Sequence, residues 1–351
     1  QVHNVYNHTG GEEVVVAKEK KMLELQGDTV TQYLVHNEEP IGFFDKIKSS
    51  INYSFSSFSK KEYLDNLLII KPDVVHFHNV FPRLGTKLFR YTKLHGYSTV
   101  LTLHNFRYSC SNGLFLRQGS ICRKCLDDPN FFRPIVSRCY RDSFLSSTIV
   151  SAGITIAKLR NDYEYLDCII VMTDFAKRLL VHYGIDEARV MVKPHSVARV
   201  KNDLEIKKYD FCYVGRLSTE KGVGDLLEAL KILPPSTKTV IVGDGQQRTE
   251  LEVAAEGLNV EFVGWKEPSL VGKYISSSRF LIFPSRWFET FGLTIIEAMS
   301  YGVPVIARAI GGVPELFDSS ELLFEDFDSF VEVLNRALGM TPEAYDGCST
   351  A

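Results

Sequence analysis

The sequence predicts an α/β protein made of two doubly wound, Rossmann-like domains whose parallel sheets face a central cleft. Three observations carry that expectation. Short apolar segments alternate with segments of helical periodicity, once through each half of the chain, and such alternation builds parallel sheets covered on both faces. The length of 351 residues is enough for about two domains. A composition of 45 % hydrophobic and 24 % charged residues is that of a soluble globular chain.

Taken in order, residues 2–6 read as a strand, Thr9-Gly10-Gly11 as a turn and residues 12–25 as a helix. A strand follows at 30–35. Phe44, Ile47, Ile51, Phe55 and Phe58 then share one helical face, interleaved with Lys46 and Lys48. That pattern suits a helix packed on the core or a segment lying on a membrane. Residues 73–77 form a strand, 85–94 a helix and 98–103 a strand ending in His104-Asn105. A cysteine-rich insertion occupies 108–140. A long helix is expected over 145–165, a strand at 168–172, a helix at 174–183 and a strand at 189–192. Residues 194–208 lack periodicity and read as the linker between a domain of 1–193 and one of 209–351. The second half repeats the plan, with strands at 210–214, 239–242, 260–263, 280–283 and 303–306. Helices begin near Gly222, Gln247, Pro268 and Gly292, and a final one covers 327–338.

Charge is uneven. Residues 1–200 carry 26 Lys and Arg against 20 Asp and Glu, a net +6, and residues 201–351 carry 14 against 23, a net −9. No stripe of the kind that binds nucleic acid is present. The mildly basic first half suits an anionic acceptor or peripheral contact with the inner face of the cell membrane. No apolar run is long enough to span a bilayer and no signal peptide is visible, so the expected location is cytoplasmic. The chain opens on Gln1, inside an apparent strand, and stops at Ala351 as a trimmed sequence would.

In open parallel sheets, ligands bind beyond the carboxyl ends of the strands. In the second half that rule selects Gly215-Arg216-Leu-Ser-Thr-Glu-Lys221-Gly222, Gly243-Asp-Gly245, Gly264-Trp265, Ser285 to Glu289 and Gly311-Gly312. Arg216 offers a planar fork for phosphate oxygens and Lys221 a point charge at a helix start; a surface pair is the plainer reading of both. The stretch Phe283-Pro-Ser-Arg-Trp-Phe-Glu-Thr-Phe-Gly-Leu-Thr-Ile-Ile-Glu297 joins a buried strand to a helix. Its free N–H groups near Gly292, Leu293 and Thr294 favour an anion. Glu289 in the loop and Glu297 inside the helix frame that start, although solvated acids would look the same. In the first half the rule selects Gly10-Gly11, His78-Asn79 and His104-Asn105. His76 is expected to be deeper and satisfied in the core, and His104 to meet a ligand. Gly243-Asp-Gly-Gln-Gln-Arg248 lacks the third glycine of a dinucleotide fingerprint, which weakens a dehydrogenase reading.

These motifs, in this order, resemble family 4 glycosyltransferases, which have the two-domain GT-B fold and retain anomeric configuration. The resemblance covers nearly the whole chain. It rests on Glu289-x7-Glu297, Gly215-Arg216-Leu-Ser-x-Glu-Lys221-Gly222, Gly311-Gly312-x-x-Glu315, His104-Asn105 and Gly10-Gly11-Glu12. It looks closest to bacterial members that build capsule, O-antigen or other surface polysaccharides. Pro194-His195-Ser196 departs from the Asn-Gly pair of many relatives.

The resemblance implies a sugar transfer from a UDP- or GDP-sugar to a saccharide or lipid-linked saccharide, without a catalytic metal. Arg216 and Lys221 would neutralise the leaving diphosphate. Glu289 would hold sugar hydroxyls, and the N–H groups near Phe291, Gly292 and Leu293 would meet sugar or phosphate oxygens. Glu297 would accept from the ribose, Gly264-Trp265 would border the base, and His104 would sit by the sugar. Gly10 and Gly11 would leave room for phosphate or acceptor. A GT-B epimerase or phosphorylase and a catalytically silent sugar-nucleotide-binding subunit are the alternatives.

Seven cysteines in a cytosolic chain argue against a disulfide framework. Cys122-Arg-Lys-Cys125 has zinc-knuckle spacing, with Cys110 and Cys139 flanking it at separations of 12 and 14. A structural four-thiolate zinc is the reading taken, against free thiols or disulfides.

Overall fold

The computed structural model describes residues 1–5, 11–36, 60–128, 130–200 and 206–341. Gly10 and the amphipathic stretch Phe44 to Phe58 lie outside the described residues. The chain divides into two compact units, Gln1–Phe115 with Cys122–Lys193, and Pro194–Ala351 with Leu116–Ile121.

In chain order the strands up to residue 193 are β1 (Val2–Val5), β2 (Tyr33–His36), β3 (Val74–Phe77), β4 (Ser98–Thr102), β5 (Leu116–Arg117), β6 (Ser120–Ile121), β7 (Cys168–Val171) and β8 (Val190–Val192). Six of them form one sheet in the order β2-β1-β3-β4-β7-β8, parallel throughout. β5 and β6 form a separate antiparallel hairpin inside the insertion. The strand order reverses direction between β1 and β3, the place where such sheets open a crevice. Asn4 and Asn79 stitch that point. Both are buried, the Asn79 side chain donates to the Asn4 carbonyl at 2.9 Å, and the Asn4 side chain accepts from Arg83 N at 3.0 Å. Asn79 therefore holds the fold together here.

The expected long helix over 145–165 is two elements. A helix spans Phe144–Leu159, opened by Ser143, whose side chain accepts from Ser146 N. The chain then turns through Asn161 at φ 52° and resumes as a 3-10 turn, Asp162–Tyr165. The reason lies in Asp162, which is fully buried and takes hydrogen bonds from Thr86 Oγ1 at 2.5 Å and from Arg160 Nη2 at 2.5 Å. A straight helix would leave that carboxylate without its partners, and an unpaired buried charge is costly.

The second unit carries β9 (Tyr209–Val214), β10 (Thr239–Val242), β11 (Val260–Gly264), β12 (Ser278–Phe283), β13 (Val305–Arg308) and β14 (Leu323–Phe324). They form a parallel sheet in the order β11-β10-β9-β12-β13-β14, with the reversal between β9 and β12. Phe211, Ile241, Phe280, Ile282 and Ile306 of the sheet pack with Leu226, Leu227 and Leu230 of the helix Val223–Leu230 and with Phe330 and Leu334 of Phe327–Gly339. Each such side chain contributes about 1.5–3 kcal/mol of burial. Asp326 caps the last helix in a capping box with Ser329.

Candidate active site

The loops after β9 and β12 meet at the reversal of the second sheet. Gly222 lets them do so. Its φ is +70°, and a Cβ there would stand 2.1 Å from the Pro284 carbonyl oxygen. Arg286 N donates to the Glu220 carbonyl at 2.8 Å across the same seam. A cluster of Arg286, Asp225 and Arg308 locks it from behind, with Arg308 Nη2 on Asp225 Oδ2 at 2.7 Å and Arg286 Nε on the same oxygen at 2.9 Å.

At the front of the seam stands Glu289, 5 % exposed. Its Oε1 accepts from Lys221 Nζ at 2.6 Å, Ser285 Oγ at 2.7 Å and Trp287 Nε1 at 2.7 Å. The Lys221 ammonium also lies 5.0 Å from the Trp287 ring centre, a cation–π contact. The sequence reads Glu289 as a loop carboxylate offering hydroxyl contacts. In the structure one of its oxygens is already the hub that positions Lys221, because three donors converge on it. Ser285 and Trp287 are partners that sequence reasoning missed. Their spacings of four and two residues from Glu289 are visible, yet nothing in the spacing says that all three turn inward.

Arg216 is a different case. Its side chain is 65 % exposed and pairs with Glu220 Oε1 at 3.1 Å. The helix Leu293–Ser300 starts at Gly292, φ 98°, with no side-chain cap. Its first N–H groups are therefore left to other partners, and the dipole favours an anion there. Phe291 is buried and meets the His195 ring edge-on at 5.2 Å. Thr294 and Glu297 follow on the same helix, both half-buried. Gly264 has φ +73° and Trp265 beside it is 66 % exposed.

The sequence assigns Gly215, Gly243 and Gly245 to close approach of a ligand. The structure gives them another neighbour. A Cβ on Gly243 would lie 1.8 Å from the Gly215 carbonyl oxygen, and one on Gly245 would lie 2.3 Å from the Leu217 carbonyl oxygen. Gly243 and Gly245 thus admit the chain's own backbone, whereas a Cβ on Gly215 would stand 2.8 Å from the Tyr213 hydroxyl. Gly311 admits backbone too, at φ +61° and with a Cβ 2.9 Å from the Glu289 carbonyl oxygen.

In the first unit, β3 and β4 end in His76, His78 and His104. His78 Nδ1 lies 3.1 Å from His104 Nε2, and His76 Nε2 lies 2.8 Å from Thr102 Oγ1. His76 does find a partner, but it is half-buried, and His78 at 4 % exposure is the deeper of the two. Burial, and then the neighbouring His78, push the His76 imidazole down to about 3, so it is neutral near pH 7. Gly11 is exposed and opens the helix Gly11–Leu25. Its next residue, Glu12, accepts from Asn105 Nδ2 at 3.0 Å. Burial pushes the Glu12 carboxyl up to about 7, opposed by the Asn105 bond, and its Oε2 is buried without a hydrogen-bond partner. A pocket of about 40 Å³ adjoins His104 and Asn105. At about 10–15 Å³ per water centre, its enclosed part has room for a few waters.

The four cysteines of the insertion are not disulfide-bonded: Cys110 is buried, and Cys122, Cys125 and Cys139 are half-buried. Burial, and then the nearby Cys110, Cys139 and Cys122, push the Cys125 thiol up to about 12. No three of these sulfurs lie mutually within 4.8 Å. Among the described residues, the one set of three His, Cys, Asp or Glu donors lying mutually within 4.8 Å is Glu19, His76 and His78. Cys110 Sγ is turned to Asn112 Oδ1 at 2.9 Å instead.

Residues 196–346 match the family model described as "Glycosyl transferases group 1". A 41.2 kDa protein of the cps region of Klebsiella pneumoniae is 31 % identical over 186 residues, 48 % of this chain and 51 % of that protein. The lipopolysaccharide 1,6-galactosyltransferase of Escherichia coli K12 is 28 % identical over 193 residues, 49 % of this chain and 54 % of that protein. The chain thus spans about half the length of these curated relatives. Among solved structures, sucrose-phosphate synthase from Thermosynechococcus elongatus aligns at a TM-score of 0.68 and 17 % identity, over 98 % of this chain and 88 % of that one. The Anabaena HepE protein in complex with UDP aligns at 0.61 and 16 %, over 99 % and 93 %. At those identities the likeness is one of fold. No helix among the described residues is long and apolar enough to cross a membrane. Residues 196–346 thus match the glycosyl transferases group 1 model, and the two parallel sheets have the GT-B fold.

Proposed function

We propose that this chain moves a sugar from a nucleoside-diphosphate sugar to an acceptor hydroxyl, with retention of anomeric configuration, in the building of a bacterial surface polysaccharide. The observation that carries the reading is the Lys221–Glu289 pair, 2.6 Å apart beside an uncapped helix start at the reversal of the second sheet. Departure of a diphosphate from an anomeric carbon builds negative charge on phosphate oxygens. A preorganised ammonium and backbone donors stabilise that charge more than they stabilise the bound donor. Glu289 holds Lys221 in position, so the lysine need not be ordered by the substrate. Exposed Arg216 is free of packing and swings from Glu220 to the phosphates.

Glu297 takes the ribose, and exposed Trp265 with Gly264 borders the base. Phe291, Gly292, Leu293 and Thr294 line the phosphates and sugar, with Glu289 reaching its hydroxyls. His104, with Gly10 and Gly11, serves the transferred sugar and the acceptor. In same-face attack the leaving diphosphate oxygen is the nearest base. It takes the acceptor proton as the new glycosidic bond forms and the old one breaks. Charge at the diphosphate comes from the protein, so no catalytic metal is invoked. UDP is the first donor nucleotide to try, since the HepE protein of Anabaena is described in complex with UDP. A saccharide or lipid-linked saccharide acceptor would place the work at the inner face of the cell membrane.

The test is a thermal-shift panel of UDP, GDP, ADP and their sugars, followed by product analysis with the stabilising donor. A native-state ligand raises the melting temperature by mass action. The reading predicts stabilisation by one nucleoside diphosphate and its loss in Arg216→Ala. A panel with no stabilising nucleotide, or an inverted product, would overturn it.

A structural zinc on Cys110, Cys122, Cys125 and Cys139 belongs to the same proposal. Tetrahedral thiolates with bonds of about 2.3 Å would stand roughly 3.8 Å apart, so the ion would have to draw these sulfurs together. Elemental analysis that finds no zinc, together with four titratable thiols in active protein, would remove it.

A further inference from the structure

The carboxyl end of β3 carries two imidazoles, His76 and His78, two residues apart and so on the same face of the strand. The helix Gly11–Leu25 brings Glu19 over them. Glu19 Oε2 stands 3.0 Å from His78 Nε2 and 3.4 Å from His76 Nδ1, and the three donor atoms lie within 4.8 Å of one another. Two ligands of a tetrahedral ion with bonds of about 2.0–2.1 Å stand roughly 3.3 Å apart. The two short separations match that edge. Gln1 Nε2 also donates to Glu19 Oε2 at 3.0 Å, and a carboxylate oxygen has a second lone pair for an ion.

The outer nitrogens are arranged as a metal site requires. A ligating imidazole is held by a partner on its other ring nitrogen. The other nitrogen of His76 faces Thr102 Oγ1 at 2.8 Å, and that of His78 faces His104 Nε2 at 3.1 Å. A further histidine is buried alongside. His3 is 1 % exposed, its ring centre is 6.3 Å from that of His78, and neither of its nitrogens has a hydrogen-bond partner. Its Nε2 approaches Glu13 Oε1 only to 3.7 Å. An imidazole buried in that way costs free energy, and a polar guest beside His78 would offset part of it.

We propose that Glu19 Oε2, His76 Nδ1 and His78 Nε2 form a binding site for one divalent transition-metal cation of the zinc, cobalt or nickel kind. Two imidazoles and one carboxylate are the donor set for such ions, whereas magnesium and calcium require oxygen ligands throughout. Three protein ligands leave a fourth position for water. An ion on His78 Nε2 fixes that ring's proton on Nδ1, where it is donated to His104 Nε2. His104 then carries its own proton on Nδ1. The cation therefore sets the tautomer of the residue assigned to the sugar, a link that rests on the reading of His104 given above; the site itself does not.

The experiment is a Co²⁺ titration of tag-free full chain stripped with chelator, followed by calorimetry and visible absorption. One cobalt per chain beyond any held by the four cysteines is expected, with the intense visible bands of a four-coordinate ion, and in Cys125→Ser these bands stand without a thiolate-to-cobalt charge-transfer band. Glu19→Gln should weaken this binding by more than about tenfold, and Thr102→Val, which touches only the outer partner of His76, by about tenfold. Cys125→Ser should leave it unchanged. Should Glu19→Gln fail to fold, Thr102→Val decides. No cobalt bound at submillimolar concentration would overturn the proposal. So would binding that survives in Thr102→Val at full strength, or binding that is lost in Cys125→Ser.

Discussion

At the carboxyl end of the C-terminal sheet, loop presses on loop through glycines, and an arginine and a lysine of contrasting exposure follow β9. At the same end of the N-terminal sheet the backbone contacts give way to side chains: imidazoles of His3, His76, His78 and His104 crowd with Glu12 and Glu19. One end is a close-packed frame carrying an exposed guanidinium and an ammonium held on a buried carboxylate. The other is a network of groups that change state by moving a proton. On the function and the cation site proposed above, the two ends of one architecture would divide the work of holding an anion and of steering protons or a cation. That division can be broken experimentally.

The largest effect is expected at the cationic end. Arg216→Ala and Lys221→Ala should each lower turnover by about 10²–10³-fold at saturating donor. The two differ in stability. Arg216 is exposed, so its loss should leave the melting temperature alone. Lys221→Ala strands a buried carboxylate, which costs about 3–5 kcal/mol where the partner is fully desolvated. Near-normal turnover in both variants would remove the phosphate role.

The frame itself is tested by neighbouring glycines. Gly222→Ala should destabilise by about 3 kcal/mol, through the clash with Pro284 and the strain of a positive φ. Gly224 sits in the helix Val223–Leu230 with nothing within 4 Å of an added Cβ. Gly224→Ala should stabilise by about 0.5–1 kcal/mol. Urea melts that rank the two the other way would show that the loops are not pressed together as described.

At the proton-steering end, His104→Ala should reduce turnover by about tenfold or more while changing nucleoside diphosphate affinity little. Equal losses in both would make His104 a folding or binding residue.

The last effect, on stability alone, concerns Glu12. Its folded carboxyl titrates near 7 and its unfolded one near 4.5. Between those values the folded chain keeps a proton that the unfolded chain releases, so stability falls as pH rises from about 4.5 to 7 and is level above. Glu12→Gln should remove that fall. It should match the wild type near pH 4.5 and exceed it by up to roughly 3 kcal/mol at pH 8. A difference independent of pH would mean an ordinary carboxylate.

The second sheet was legible because its strands are covered on both faces and read as unbroken apolar runs, such as Phe280-Leu-Ile-Phe283. β14 was not, since Leu323–Phe324 is too short to show a period. The hairpin β5–β6 and the helix Lys60–Ile70 were likewise missed, the latter because Leu67 to Ile70 mixes buried and exposed apolar side chains. The break after Leu159 depends on Thr86, far away in the chain, and no local pattern announces it. At the site, Arg216, Lys221, Glu289 and Gly292 could be picked out by position beyond strand ends. That Glu289 serves Lys221, and that Glu19 reaches His76 and His78, could not. Both depend on which way side chains turn once separate segments have folded.

The seams at Gly215–Gly243 and Leu217–Gly245 also bear on how such a protein can diversify. Any side chain at Gly243 or Gly245 would collide with a backbone oxygen, so a mutagenesis library gains nothing by varying them. On the proposed reading, new donor preferences have to come from positions outside those seams. Trp265, 66 % exposed, is one of these, and a focused library there explores specificity while the frame survives selection unchanged.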